Sequence, residues 1–128
     1  MPESLLSIPE EPPLQIGRLL KAVFLSTLRG VDARMQPLEL TAMQWELLLL
    51  VALGRADTVA ALARECRMDC GAMTRMLDRL EQKQLLLRQR SEIDRRVVNL
   101  SLTDKGRESA ACIPTLVRDE LQRNLDGF

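Results

Sequence analysis

The chain has 128 residues, enough apolar content to bury a core, and 18 basic against 18 acidic side chains, so its formal net charge is zero. This size suits one compact domain, or a small domain with helical extensions. The three cysteines are odd in number and histidine is absent, so we expect reduced thiols, no metal site and no cofactor.

Two other properties narrow the class of protein. No apolar run reaches the roughly 18 residues of a membrane span, and residues 1–13 lack the features of a secretory signal, so a cytoplasmic protein without a membrane partner is expected. With two phenylalanines, one tryptophan and no tyrosine, the chain is poorly supplied with rings for stacking on unpaired bases. Double-stranded DNA makes no such demand.

The zero net charge conceals a polarity along the chain. Between Arg55 and Arg107 there are twelve basic and eight acidic residues, whereas the rest of the chain has an excess of four acidic residues. This segregation favours a face that binds a polyanion, although an ordinary solvated face would show the same pattern.

The N-terminal third predicts an arm followed by a long helix. Residues 1–13 contain four prolines and three glutamates, and are expected to be disordered or extended. Residues 14–37 predict an amphipathic helix that ends near Pro37, with apolar side chains at helical spacing: Ile16, Leu20, Val23, Phe24, Leu28, Val31 and Met35. So broad a stripe needs a partner surface, either the domain core or a second subunit.

Three shorter helices are predicted next. Thr41 and Gln44 have capping-box spacing at the start of a core helix that stops at Gly54. Asp57 or Thr58 can cap a third helix, and Asp69 can cap a fourth. On the fourth helix, Met73, Met76, Leu77 and Leu80 should be buried, whereas Gly71, Thr74, Arg75, Asp78, Arg79 and Gln82 should point away. Two short helices joined by so tight a turn are typical of a helix-turn-helix.

After Gln84 the spacing of apolar residues changes from the period of a helix to the alternation of a strand. Residues 85–90 and 97–102 are strand-like, and residues 91–96 would connect them as the tip of a wing. Thr103 can cap a last helix that runs to about Asn124, with a kink at Pro114.

These features together resemble the MarR family of bacterial transcriptional regulators. The resemblance covers Thr41 to Arg107 and is carried by LTAMQWELLLLVAL, by VAALARECRMDCGAMTRMLDRLEQKQLLLRQR and, most specifically, by D-R-R followed by L-T-D-K-G. It implies a mainly α fold with a small two- or three-stranded β wing, in which dimerisation helices at 14–37 and 104–128 flank a DNA-binding lobe at 38–103. The chain stops about where the family begins a last dimerising helix, so either this member dimerises with a shorter portion or the sequence is cut.

The resemblance also implies a function. It predicts a homodimer that binds a pseudo-palindromic operator, with two motifs about 34 to 36 Å apart, as a repressor or less often an activator. Release by a small aromatic or phenolic effector, or by oxidation, would follow. The pocket would draw on Leu20, Phe24, Trp45 and Leu116, which could equally be plain core.

Candidate DNA-binding residues lie on the fourth helix and the wing: Cys70, Gly71, Ala72, Thr74, Arg75, Arg79, Arg95 and Arg96. The family usually has hydroxyl residues where this chain has Gly71 and Ala72, so these two would allow close approach only. An arginine fork matches the two major-groove acceptors of guanine, and a basic wing tip suits the minor groove. Arg64, Arg67, Lys83, Arg88 and Arg90 are generic phosphate candidates.

Some roles remain open from the sequence. Asp94 is expected to support the wing by pairing with Arg79 or Arg96, and Thr74 could face DNA or bond back to its own helix. Gln84 replaces the usual glycine, so either a strained left-handed residue ends the fourth helix or the ending differs.

The sequence leaves two alternative functions open and disfavours a third. The first is a thiol-based redox regulator that uses Cys66 or Cys70, although burial is the commoner fate of a free cysteine. The second is a winged-helix module that binds another protein through its first helix and does not bind DNA. An enzyme is disfavoured, because the chain lacks histidine and a glycine-rich phosphate loop.

Overall fold

The computed structural model describes residues 11–127, which form five α-helices, one 3₁₀ turn and a two-stranded antiparallel sheet. The helices are α1 (Pro12–Met35), α2 (Ala42–Ala52), α3 (Val59–Cys66), α4 (Cys70–Gln82) and α5 (Asp104–Asp126); the strands are β1 (Leu86–Arg90) and β2 (Val98–Leu102). This is the predicted mainly α fold with a small wing, in which α3 and α4 form the helix-turn-helix.

The first helix begins earlier than predicted. Pro12 and Pro13 occupy its first turn, where a missing backbone N–H costs nothing, so the predicted arm does not extend to residue 13. The remainder of that arm, residues 1–10, lies outside the described residues. At its other end, α1 stops at Met35. The 3₁₀ turn Gln36–Leu38, which contains Pro37, follows directly.

Side-chain caps fix the starts of the later helices. Thr41 and Gln44 form the predicted capping box, in which each side chain accepts a hydrogen bond from the backbone N–H of the other residue. Thr58, rather than Asp57, caps α3. Asp69 and Thr103 cap α4 and α5 as predicted.

Helix α4, the second helix of the helix-turn-helix, ends in a left-handed residue despite the missing glycine. Gln84 has φ 62°, and the N–H of Leu85 donates to the carbonyl of Leu80, as in a Schellman ending. Thr103 Oγ1 donates to the carbonyl of Gln84 at 2.6 Å. Of the two alternatives left by the sequence, the strained left-handed ending is the one that forms.

The wing is a two-stranded sheet with one additional bridge. Leu86 pairs with Leu102 and Arg90 with Val98, in an antiparallel register. Thr58, just before α3, forms an isolated bridge to Asn99, and Leu100 N–H donates to the carbonyl of Asp57 at 2.8 Å. The wing is predicted to have two or three strands. In place of a third strand, the described part of the chain has a single bridged residue pair, which connects the start of α3 to β2.

The buried core joins the wing to the helices. Leu47 and Leu48 of α2, Leu77 of α4 and Leu86 of β1 are fully inaccessible to solvent. Helices α1 and α5 pack together and bury Glu120, whose carboxylate accepts from Arg34 Nε at 2.8 Å. Pro114 lies inside α5 and does not end it. None of the helices among residues 11–127 is long and apolar enough to cross a bilayer.

Candidate nucleic-acid interface

Helix α4 presents the polar face that the sequence predicts. Met73, Leu77 and Leu80 are fully buried, whereas Arg75 and Arg79 are exposed. The N-terminal end of the helix is also accessible, since Cys70, Gly71 and Thr74 are exposed and Ala72 is half-buried. Asp69 accepts from the N–H of Ala72 at 2.8 Å and fixes the first turn. The residues nearest to bases in a helix-turn-helix complex are therefore free of core contacts.

The first turn of α4 allows close approach by a ligand. A Cβ atom on Gly71 would meet only Asp69 Oδ1 at 3.2 Å and Arg75 Nη1 at 3.8 Å, so the Arg75 guanidinium lies near this turn. Thr74 Oγ1 donates to the carbonyl of Cys70 at 2.8 Å, which is the second of its two predicted roles. The hydroxyl oxygen of Thr74 can still accept a hydrogen bond.

Arg75 and Arg79 form no ion pair with any residue in the described part of the chain. Asp78, the nearest carboxylate along the helix, instead contacts Arg88 of β1. An arginine without a carboxylate partner keeps its full set of donors for a phosphate or for the edge of a guanine.

The tip of the wing is an ordered loop. Ser91 Oγ accepts from the N–H groups of Ile93 and Asp94 at 3.2 and 3.1 Å. Val97 N–H donates to the carbonyl of Asp94, and Ser91 N–H donates to the carbonyl of Val97. A single hydroxyl and two backbone bonds thus define the loop that carries Arg95 and Arg96.

Asp94 pairs with Arg96 and not with Arg79. Arg96 Nε and Nη2 contact Asp94 Oδ1 and Oδ2, each at 3.0 Å, and the Arg96 N–H adds a third bond to Oδ1 at 3.1 Å. These hydrogen bonds from Arg96 hold the pKa of the Asp94 carboxyl below its usual value, so the carboxylate is ionised at neutral pH. The Arg96 side chain nevertheless stays 90% exposed. Pairing with Asp94 therefore orients Arg96 without withdrawing it from solvent.

Three of the generic phosphate candidates have internal partners. Lys83 Nζ donates to Gln44 Oε1 at 2.7 Å and to the carbonyl of Glu39. Arg90 Nη1 donates to the carbonyl of Arg95 at 2.6 Å, and Arg88 binds two carboxylates of α4. The sequence alone does not rank these five cations, and their partners are visible only in the folded chain. Arg64 and Arg67 make no ion pair with the described residues.

The three cysteines are free and differ in accessibility. Cys66 is half-buried against the core, whereas Cys70 and Cys112 are exposed. Burial raises the pKa of the Cys66 thiol, and the nearby carboxylates of Glu46 and Glu65 raise it further. Cys66 is consequently a protonated thiol at neutral pH, which disfavours its ionisation to a reactive thiolate.

An apolar groove of about 570 Å³ lies between α1, α2 and α5. Three of the four residues predicted for an effector pocket line it, namely Leu20, Phe24 and Trp45. Leu116 does not line it; the neighbouring Val117 does, because one residue along a helix rotates the side chain by about 100°. Trp45 Nε1 donates to Asp32 Oδ1 at 2.7 Å, which fixes the indole in the groove wall.

Comparison with known proteins gives three findings. A model of the MarR family matches residues 40–98. The organic hydroperoxide resistance transcriptional regulator of Bacillus subtilis is 40% identical over 60% of this chain, a match that spans about half, 54%, of the relative. The multiple antibiotic resistance protein MarR of Escherichia coli is 31% identical over 88% of this chain and 78% of its own length.

A solved structure is similar over nearly the whole chain. It is a mutant of E. coli MarR complexed with operator DNA, 30% identical with a TM-score of 0.71, and the alignment covers 93% of this chain and 85% of that one. The Bacillus subtilis relative is a transcriptional regulator by name, in agreement with the prediction that the chain is not an enzyme.

Proposed function

The chain belongs to the MarR family of DNA-binding transcriptional regulators, and we propose that it acts as a homodimer on a pseudo-palindromic operator, as a repressor that a small ligand releases. The observation that carries this proposal is the arrangement of its arginines. Arg75 and Arg79 are exposed on the recognition helix without carboxylate partners among the described residues, and an ordered wing holds Arg95 and Arg96 at its tip. Such positions suit major-groove and minor-groove contacts.

The wing supports minor-groove binding because it is ordered before DNA arrives. Asp94 holds the Arg96 guanidinium by two bonds of 3.0 Å while leaving the side chain exposed, so less conformational freedom is lost on binding. Arg95 is exposed beside it, and its side chain makes no ion pair with the described residues. We therefore assign Arg96 as the oriented contact and Arg95 as an additional phosphate contact.

An exposed apolar face supports a homodimer. Ile16, Leu19 and Leu20 of α1 are each at least half exposed, and Leu121 and Leu125 of α5 lie beside them around a groove of about 350 Å³. A contiguous apolar patch of large side chains is typical of an interaction site, and two copies would bury it symmetrically. Light scattering on the 128-residue protein should give a dimer mass at micromolar concentration. A monomer mass would contradict the proposal.

The groove between α1, α2 and α5 supports a small apolar effector. Its lining is almost entirely aliphatic and aromatic, and it contains the only tryptophan of the chain, Trp45. Titration with aromatic acids and phenols should therefore change tryptophan fluorescence at the same concentrations that release DNA in a gel shift. Release without a fluorescence change would place the effector elsewhere.

Oxidation is the second candidate for release, favoured by the exposed thiol of Cys70 at the start of the recognition helix. If it operates, peroxide should release DNA from the native protein, and the Cys70→Ser variant should be insensitive. Equal sensitivity of both proteins would remove Cys70 from consideration.

The DNA-binding function is tested by selection of duplexes from a random pool. The native dimer should enrich a pseudo-palindrome with half-site centres about 34 to 36 Å apart. Arg75→Ala should then cost about 1–3 kcal/mol on the selected operator and relax discrimination at one position. Failure to enrich any duplex would favour the alternative of a protein-interaction module.

The wing arginines should behave differently from Arg75. Arg95→Ala and Arg96→Ala should weaken binding to the operator and to unrelated DNA by similar factors, and each should lower the slope of log affinity against log salt by about one. Arg118→Ala is the matched control, because Arg118 is an exposed arginine on α5, outside the recognition helix and the wing. A loss confined to the operator would contradict this assignment for the wing.

A further inference from the structure

Arg88 of β1 joins the wing to the recognition helix. Its Nη2 atom contacts Asp78 Oδ1 and lies 2.7 Å from Glu81 Oε2, while its backbone N–H donates to Glu81 Oε1 at 3.4 Å. Asp78 and Glu81 are three residues apart on α4, so both carboxylates lie on the side of the helix that faces β1. One guanidinium on a strand of the wing thus contacts two carboxylates about one turn apart on α4.

The contacts of Arg88 differ from those of the arginines assigned to DNA. Its side chain is 22% exposed, whereas that of Arg96 is 90% exposed. Hydrogen bonding to Glu81, and then to Asp78, raises the pKa of Arg88 despite the opposing effect of burial. The two carboxylates outnumber the one cation, so this cluster carries net negative charge. A phosphate would have to compete with both carboxylates for the same donors.

Besides this cluster, the buried core and a short backbone link join α4 to the base of the wing. The backbone passes from the end of α4 to β1 through the left-handed Gln84, and Arg90 Nη1 then holds the carbonyl of Arg95 at the tip. Arg88 lies between these two points on β1 and pairs in register with Leu100 of β2. It is therefore placed to fix how the whole hairpin lies against the recognition helix.

We propose that Arg88 is a positioning residue that sets the angle and spacing between recognition helix and wing, so that both can engage adjacent grooves of one operator. The inference rests on the proposed DNA-binding function. Without the Asp78–Arg88–Glu81 cluster, the wing can tilt relative to α4. The wing then contacts DNA only in positions that weaken the DNA contacts of the recognition helix. The loss falls on the operator, where both elements must fit at once, and not on unrelated DNA, where backbone contacts alone suffice.

The test variant is the double substitution Arg88→Met/Glu81→Gln. It removes the charged contact, retains side chains of similar length and leaves the net charge unchanged. Affinities for the selected operator and for an unrelated duplex are measured across a range of salt concentrations. We expect the operator affinity to fall about tenfold relative to the unrelated duplex, the loss typical of a charged hydrogen bond, with the salt slope unchanged.

Two further proteins separate positioning from other effects. Arg88→Lys keeps the charge, but the shorter side chain places its ammonium nitrogen short of the position of Arg88 Nη2, which makes both contacts, so it should lose part of the operator preference. Arg118→Ala, which removes an exposed arginine on α5, should leave the preference intact. Partial unfolding of a variant would reduce the active fraction for both duplexes equally, so the ratio of the two affinities is insensitive to it.

Three outcomes would overturn the inference. A salt slope that falls by about one with equal losses on both duplexes would make Arg88 a phosphate contact. An unchanged ratio of affinities, with the native protein selecting an operator, would refute the positioning role alone. A native protein that binds no duplex would refute the proposed function and the inference together.

Discussion

Gly106, in the first turn of α5, allows the last helix to lie directly against the junction between recognition helix and wing. An alanine Cβ at this position would lie 1.9 Å from the carbonyl oxygen of Leu85 and 2.9 Å from its carbonyl carbon. Both atoms are backbone, so no side-chain rotation relieves the overlap. The same oxygen accepts from Thr103 N–H at 3.1 Å, which means that any movement also weakens that bond. We therefore expect Gly106→Ala to destabilise the fold.

The magnitude follows from opposing effects. Overpacking that forces a backbone shift costs about 1–3 kcal/mol, and loss of the Thr103 bond adds about 1 kcal/mol. Alanine regains at most about 1 kcal/mol through its better helix propensity. The free energy of unfolding should therefore fall by about 1–3 kcal/mol, measured by urea denaturation followed by circular dichroism at a fixed protein concentration, because dimerisation would couple stability to concentration.

A glycine without neighbours provides the control. Gly17 lies within α1, and apart from its chain neighbours and the backbone of its own helix no described atom is within 4 Å of a Cβ built there, so Gly17→Ala should raise the free energy of unfolding by about 0.5–1 kcal/mol. If Gly106→Ala instead stabilises the protein to the same extent as Gly17→Ala, helix propensity alone governs both sites. The close approach of α5 to Leu85 would then be refuted.

Three further predictions concern the helix ending, the wing and the half-buried thiol of Cys66. Gln84→Gly should raise the free energy of unfolding by about 1 kcal/mol in the same denaturation assay, because glycine adopts the left-handed conformation at φ 62° without a Cβ penalty, and an unchanged or lower value would contradict this. Asp94→Ala should weaken operator binding in a gel shift although it removes a negative charge, since Arg96 loses its orienting partner, whereas tighter binding would indicate plain electrostatics. Iodoacetamide should label Cys70 before Cys66 at neutral pH. Folding raises the pKa of the Cys66 thiol from 9.0, so the protonated thiol contributes to the stability of the folded state. This contribution should be complete below pH 9.0 and be lost as the pH rises through the higher pKa of the folded protein, which labelling and denaturation across that range would check.

Much of the architecture is local and could be predicted. Helix starts are specified by a capping side chain and its own backbone within three residues, as Thr41 and Asp69 illustrate. The buried face of α4 follows from the spacing of its apolar residues, and the hairpin follows from a change of period after Gln84. These features depend on chemistry within a few residues, so the sequence alone determines them.

The roles of the cations depended on the tertiary structure. By residue type, Lys83 and Arg88 are both candidates for phosphate binding. In the fold, however, Lys83 binds Gln44, 39 residues earlier, and Arg88 binds Asp78 and Glu81 across the turn into β1. No local pattern specifies which carboxylate or carbonyl an arginine or lysine will reach, because long flexible side chains select partners only after the elements pack.

Tertiary packing also decided how α4 ends and which arginine pairs with Asp94. The sequence offered two endings for α4 at Gln84, and packing selected the left-handed one, in which Thr103 Oγ1 holds the carbonyl of that residue. Residue type determined that Asp94 would find an arginine, but the folded loop decided that it would be Arg96 and that the pair would remain exposed. Composition and periodicity thus determined the elements and their faces, because these arise from contacts along the chain. The partners of charged side chains and the strained turn were decided by contacts that exist only once distant segments have packed together.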